Sequence, residues 1–209
     1  MKVILVNGSP HKEGCTKTAL KIVAEELNAN GIKTEFFDIG SDVKGCMGCH
    51  MCARNKNGKC VIEGDVVNKF LEKAVKADGF VFGSPVYFAS GSGSINAFMD
   101  RVFYVARNTI FPYKPGAALV SCRRAGSSAA LDNLNKYLTI SQMPVVTSRY
   151  WNMVHGNTPD EVRQDLEGVQ IMQYIGRNMT WLLKNIEAGK KAGIVPPAQD
   201  KPARTNFIR

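Results

Sequence analysis

With 209 residues, 44% of them hydrophobic and 22% charged, the chain has the make-up of a soluble globular protein that buries one substantial core. Its first apolar run, "KVILVN", stops at "GSP" after a strand's length, and no later run approaches bilayer thickness. This excludes a secretory signal or transmembrane helix and makes the cytoplasm the expected compartment, with no membrane partner. The net charge of +9 suits nucleic acid and equally a phosphorylated small molecule. The basic residues are scattered, without a zinc-finger His pair, RRM signature or helix-turn-helix pattern, so nucleic acid ranks second.

In chain order, 2–7 reads as a strand, 16–30 as a helix, 33–39 as a strand, 65–77 as a helix and 79–84 as a strand. A helix at 93–107, a strand at 117–122, a helix at 127–140 and a strand at 144–149 follow. The last helix, 158–189, opens on Thr-Pro with acids in its first turn and is expected to break near Gly168 or Gly176. Five strands alternating with five helices favour a flavodoxin-like three-layer α/β sandwich with a parallel sheet of order 2-1-3-4-5, whose ligands sit beyond the carboxyl ends of the strands. Residues 1–187 are expected to form this domain, with a cysteine-rich insertion at 45–62, and 188–209 an extended basic tail.

The strand-end loops carry the chemistry. In "NGSPHKEGCTK" (7–17), a helix begins where the loop ends, so backbone N–H groups face the bend and make an anion site. Ser9, Thr16 and Thr18 offer hydroxyls, His11 and Lys17 offer positive charge, and Gly8 and Gly14 permit close backbone approach. The spacing matches neither GxGxxG nor a P-loop, which leaves a monophosphate as the better guest and a merely polar turn as the bland reading. After the third strand, "SPVYF" stiffens the chain at Pro85 and presents Tyr87 and Phe88, as a flat ring or a packed loop would require.

"SCRRAGS" ends the fourth strand: Arg123 and Arg124 are placed near developing negative charge or are simply solvated, Gly126 opens a helix, and Cys122 reads as core. "YWNMVHG" gathers Tyr150, Trp151 and His155 as a pocket wall or subunit interface, with His155 expected to be a loop residue and no catalyst. "DRVF" (100–103) reads as a structural or interface salt-bridge site. Cys46, Cys49, Cys52 and Cys60 are separated by two, two and seven residues, a spacing that lets thiolates converge on zinc or an iron-sulfur cluster and leaves free thiols open as well.

"VNGSPHKEGCTKTAL", the cysteine run and "GSPVYFASGSGSINAFMDR" together resemble the flavodoxin-like NAD(P)H-dependent FMN reductases, and within them the iron-sulfur flavoproteins. The resemblance implies that Ser9, His11, Cys15, Thr16 and Lys17 surround the FMN phosphate, that Pro85, Val86, Tyr87 and Phe88 run along the ring, and that Ser121, Arg123, Arg124 and Gly126 border its other side. His11 stands where many relatives have arginine and Cys15 where they have asparagine, so a fixed charge and an amide are lost, with Lys17 available to compensate. The same resemblance implies a [4Fe-4S] cluster on Cys46, Cys49, Cys52 and Cys60, and a homodimer or homotetramer in which a neighbouring subunit helps close the flavin site, a role for Tyr150 and Trp151.

The expected function is hydride transfer from NAD(P)H to bound FMN, then electron delivery to a small acceptor: a quinone, nitro compound, metal or flavin. No protein group is expected to act as the catalyst. The alternative passes single electrons between a cluster and an acidic ferredoxin-like partner, which the basic surface would favour. Two further readings are an FMN carrier that never uses NAD(P)H and, from another class, a zinc-stabilised binding module.

Overall fold

The computed structural model describes residues 1–200, 203 and 205. β1 (Lys2–Asn7) is buried along its length after Lys2, as a central parallel strand covered on both faces must be. Its side chains alternate between two cores: Ile4 and Val6 point into one, Val3 and Leu5 into the other. The same alternation continues in β3 (Gly79–Tyr87), where Phe80 and Phe82 face opposite to Val81, and in β5 (Gly116–Cys122), where Ala118 and Val120 face opposite to Ala117 and Leu119.

The first core is packed by α3 (Val67–Ala74), α4 (Gly93–Ala106) and α5 (Ser127–Ile140). It is rich in phenylalanine: Phe70 meets Phe98 edge-on at 5.0 Å, and Phe103 stacks on Phe111 at 4.4 Å. The second core lies under α1 (Cys15–Ala29), α6 (Pro159–Gln164) and α7 (Leu166–Lys191). Gly176 lets α7 close on α1, since a Cβ there would stand 2.7 Å from Cβ of Glu26. The result is the expected three-layer sandwich.

β2 (Lys33–Asp38) pairs with β1, and β6 (Met153–His155) with β5, giving the path β2-β1-β3-β5-β6; the two-residue β4 (Ser90–Gly91) folds back on β3. Apart from that hairpin, the strand order is the one expected.

The details differ in several places. The run 144–149 touches the sheet only at a bridge from Val145 to Gly116, and the paired edge strand is Met153–His155. Asn152 explains the gap: its side chain donates to Ala118 O (3.0 Å) and Val146 O (3.3 Å), and its own carbonyl accepts from Val120 N (3.0 Å), so a side chain spans the interrupted ladder. The terminal helix breaks at Asp165, three residues before Gly168, and runs unbroken through Gly176. The Asp165 carboxylate caps α7 by accepting from Gly168 N at 2.9 Å, and a Cβ at 168 would overlap that carboxylate.

Finally, "SPVY" belongs to β3 and not to a loop. Phe88 and Ala89, both at positive φ (51° and 57°), form the two-residue turn into β4. The cysteine run adds a short helix, α2 (Met51–Asn55), that its sequence did not announce. α7 continues through Lys191, and part of the 188–209 tail lies outside the described residues. Among the described residues no helix is long and apolar enough to cross a membrane.

Candidate functional site

The chain reverses direction across the sheet between β1 and β3, and a cleft of about 790 Å³ opens there, beyond the carboxyl ends of β1, β3 and β5. This is where an open parallel sheet binds ligands, and the volume is that of a small-molecule site.

The floor is the β1–α1 loop. Buried Asn7 accepts from Ser9 N (3.2 Å) and donates to Asp38 (2.9 Å), while Ser9 Oγ accepts from His11 N (3.1 Å). Gly8 touches the neighbouring strand: its N–H donates to Gly83 O (2.8 Å), its carbonyl accepts from Ser92 Oγ (2.7 Å), and a Cβ would stand 2.7 Å from Gly83 O. Only glycine fits at that position. Gly14 begins α1 without any side-chain cap, so the first-turn N–H groups are left for an anion. Glu13, an acid on the rim, is paired with Lys21, which offsets its repulsion.

Two walls rise from the floor. Pro85, Val86 and Tyr87 form one; Ser121, Cys122 and Arg123 form the other. The walls and floor are joined by a buried hydrogen bond between the Thr16 and Ser121 hydroxyls, 2.8 Å apart. Burial pushes the Cys122 and Cys15 thiols above their ordinary values, so both line the cleft as neutral thiols at neutral pH.

Nine sequence-selected residues line this cleft: Ser9, His11, Cys15, Thr16, Pro85, Val86, Tyr87, Ser121 and Arg123. Four do not. Lys17 turns away, buried over the Phe36 ring (4.2 Å) and bound to Asp38 (2.9 and 3.1 Å), so it cannot replace the charge missing at His11 from where it stands. Phe88 projects wholly into solvent, and Arg124 lies exposed outside the cleft. Gly126 supports the hairpin instead: a Cβ there would meet Cα of Ala89 at 2.8 Å.

The rim residues Lys12, Asn157 and Pro159 went unselected; Lys12 was at least visible inside the 7–17 loop.

The four cysteines lie elsewhere, against α4. Cys46, Cys49, Cys52 and Cys60 are free thiols around one cavity of about 20 Å³, which they share with Arg101 and Tyr104. Among the described residues no three His, Cys, Asp or Glu side chains stand close enough to hold a metal, so a guest would need the thiols to draw closer than they stand here. The donor set is nonetheless all sulfur, as zinc or an iron-sulfur cluster requires. Burial first, and the nearby Cys60 and Cys49 second, push the Cys52 thiol up. His50 Nδ1 lies 2.6 Å from Tyr104 Oη, and Arg101 is buried in an ion pair with Asp65, the structural salt bridge expected of "DRVF". Burial alone would raise the Asp65 carboxyl, but Arg101 and the N–H groups of Val67 and Lys44 hold it below its ordinary value.

A glycine-floored loop at an uncapped helix N-terminus and a wall of Pro85, Val86 and Tyr87 at the switch point of a parallel sheet define a flavodoxin-like fold with a ligand-sized cleft. Residues 1–158 match the family of NADPH-dependent FMN reductases. An iron-sulfur flavoprotein of Methanocaldococcus jannaschii is 32% identical over 203 residues, 90% of this chain and 100% of its own length. Among solved structures, RosB with a bound 8-demethyl-8-formylriboflavin-5'-phosphate intermediate superposes with a TM-score of 0.68 at 14% identity, covering 100% of this chain and 92% of that one. The NAD(P)H:quinone oxidoreductase of Methanothermobacter marburgensis gives 0.62 at 18% identity, over 86% and 96%. At such identities the two structures speak for the fold alone.

The chain belongs to the NADPH-dependent FMN reductase family, in its iron-sulfur flavoprotein-like branch. It is a flavin oxidoreductase with FMN as cofactor and NAD(P)H as co-substrate.

Proposed function

We propose that this protein is an NAD(P)H:acceptor oxidoreductase that holds FMN in the cleft between β1, β3 and β5 and serves a small acceptor such as a quinone, nitro compound, metal ion or free flavin. The observation that carries the reading is the continuity of one cleft from the uncapped N-terminus of α1 to the wall at Pro85–Tyr87. The first suits a phosphate and the second a planar ring. Ser9, Thr16 and the first-turn N–H groups of α1 would bind the phosphate, with the exposed His11 and Lys12 adding positive charge at the rim. Pro85, Val86 and Tyr87 would lie along the ring, opposite Ser121 and Arg123.

The chemistry FMN supplies when bound is acceptance of a hydride and its release as electrons to an acceptor. The chain's own part is to bind, orient and shield. Tyr87, Tyr150 and Trp151 are each about half exposed, Phe88 is fully so, and Tyr150 and Trp151 pack together at 5.0 Å. Such exposed aromatics favour a homodimer or homotetramer in which a second copy covers them. The cytoplasm is the compartment we assign.

A second reading, as an iron-sulfur flavoprotein exchanging single electrons with an acidic protein partner, is favoured by the four cysteines around one cavity and by the relative of that name. Purification without oxygen, followed by a visible spectrum with iron and acid-labile sulfide analysis, tests both readings. Flavin bands alone support the first, flavin with about four irons per chain supports the second, and absence of flavin after FMN is supplied rules out both.

A further inference from the structure

Arg101 is fully buried, and every hydrogen bond of its guanidinium falls on one segment. Nε donates to Cys60 Sγ (3.4 Å), Nη1 to Lys44 O (3.1 Å) and to the Asp65 carboxylate, and Nη2 to Ile62 O (2.8 Å). Lys44 stands just before the first of the four cysteines and Ile62 just after the last, so one side chain from α4 closes the base of the whole cysteine segment. Asp65 completes the closure by accepting from Lys44 N (3.3 Å) and Val67 N (3.1 Å).

Cys60 is held more firmly than its companions. Its N–H donates to Asn68 Oδ1 (2.8 Å) and its carbonyl accepts from Asn68 Nδ2 (2.9 Å). Cys46 and Cys49 are exposed, beside Gly45 and Gly48, where an added Cβ would meet nothing within 4 Å. Among the described residues, the Cys60 sulfur is the one cysteine sulfur that receives a charged donor.

A buried guanidinium is an expensive way to stabilise a fold, because an apolar side chain of similar volume does so without the desolvation cost. Its use here calls for a role that needs the charge and the fork of donors. We propose that Arg101 is a positioning residue for the cysteine site: it presets Cys60 as the anchoring ligand and, by donating to its sulfur, raises the reduction potential of an iron-sulfur cluster held there. The inference rests on the iron-sulfur reading of the cysteines. Its physical basis is that a cationic N–H donor stabilises sulfur more in the reduced, more negative state, and that partners of the ligands tune a metal site almost as much as the ligands do.

The test compares wild type, Arg101→Lys, and Asp65→Asn with Arg101→Gln. The last pair is neutral and leaves no orphaned buried charge. Each protein is reconstituted with iron and sulfide without oxygen, and iron, sulfide, midpoint potential and FMN binding are measured. FMN binding reports on the remote cleft. The expected result is wild-type FMN binding in both variants. Each variant should also show cluster loss or, where the cluster is kept, a potential lower by about 59 mV, roughly a tenfold shift in the one-electron equilibrium. Loaded variants with the wild-type potential would overturn the role of Arg101 and leave the iron-sulfur reading standing. Loss of FMN together with the cluster in both variants would make Arg101 a general structural residue and overturn it too. Wild type that takes up no iron and sulfide would remove the iron-sulfur reading, and this proposal with it.

Discussion

The hydroxyls of Thr16 and Ser121 lie 2.8 Å apart in the interior and tie the first turn of α1 to the carboxyl end of β5. Each residue belongs to a different face of the cleft, so their bond fixes the distance between floor and wall. Thr16→Val keeps the shape and leaves Ser121 without its partner, an expected cost of about 1–3 kcal/mol. Ser121→Ala should cost a similar amount, and the double variant less than the sum. FMN titration and thermal unfolding of the four proteins of this cycle check it, with the coupling appearing in both.

Gly8 has no space for a side chain. Gly8→Ala would place a methyl against Gly83 O and Ile95, so the loop must move or the strand must yield. Overpacking of this kind costs about 1–3 kcal/mol, which in a chain this long lowers the melting temperature by roughly 2–12 °C. Scanning calorimetry reads the loss, and FMN affinity should fall with it, because the displaced loop is the one proposed to receive the phosphate.

Lys17 makes the opposite prediction. It pairs with Asp38 away from the cleft, so Lys17→Met should destabilise the fold by about 1–3 kcal/mol through loss of charged hydrogen bonds, while FMN affinity stays within roughly threefold, under about 0.7 kcal/mol. A loss of affinity of tenfold or more would place the ammonium on the phosphate and contradict the pairing seen here.

These contrasts mark what the sequence could reveal. β1 and α5 were legible because their signals are local: one uninterrupted apolar run, and one amphipathic stretch opened by glycine. The loops at β1, β3 and β5 were legible as cleft material because strand order alone brings their ends together. Lys17 was misplaced because its partner sits on β2, 21 positions away, and proximity to an anion loop in sequence says nothing of which way a helical side chain turns. The edge strand was misplaced because "PVVTSR" carries strand-forming residues, while a single Asn152 side chain decides where pairing resumes. The β3–β4 turn was hidden because Phe88 and Ala89 hold positive φ without the glycine or asparagine that usually advertises it. Arg101 looked like a salt bridge and is one, yet its contact with Cys60 spans 41 positions that no spacing rule connects.

The latch between Arg101 and Asp65 predicts a pH dependence. The Asp65 carboxyl is held below its ordinary value in the fold, so the stability it contributes is present above the unfolded value of about 4 and is lost as pH falls through the folded one. Protection factors across residues 44–65, corrected for the slower intrinsic exchange in acid, should therefore fall on acidification below about pH 4, before those of the sheet. Asp65→Asn should show low protection there already at neutral pH, with little further change in the protection factor in acid.

We propose that one cleft holds FMN where a nicotinamide can reduce it. Anaerobic titration of the FMN-loaded protein with NADPH, and separately with NADH, followed by flavin absorbance, tests it most directly. Full bleaching by at least one nucleotide at about one equivalent per flavin is expected, together with weakened FMN retention in Thr16→Val and Gly8→Ala. Flavin that stays oxidised with both nucleotides would make the protein an electron carrier and not a reductase, and FMN affinity unchanged by both substitutions would place the cofactor elsewhere.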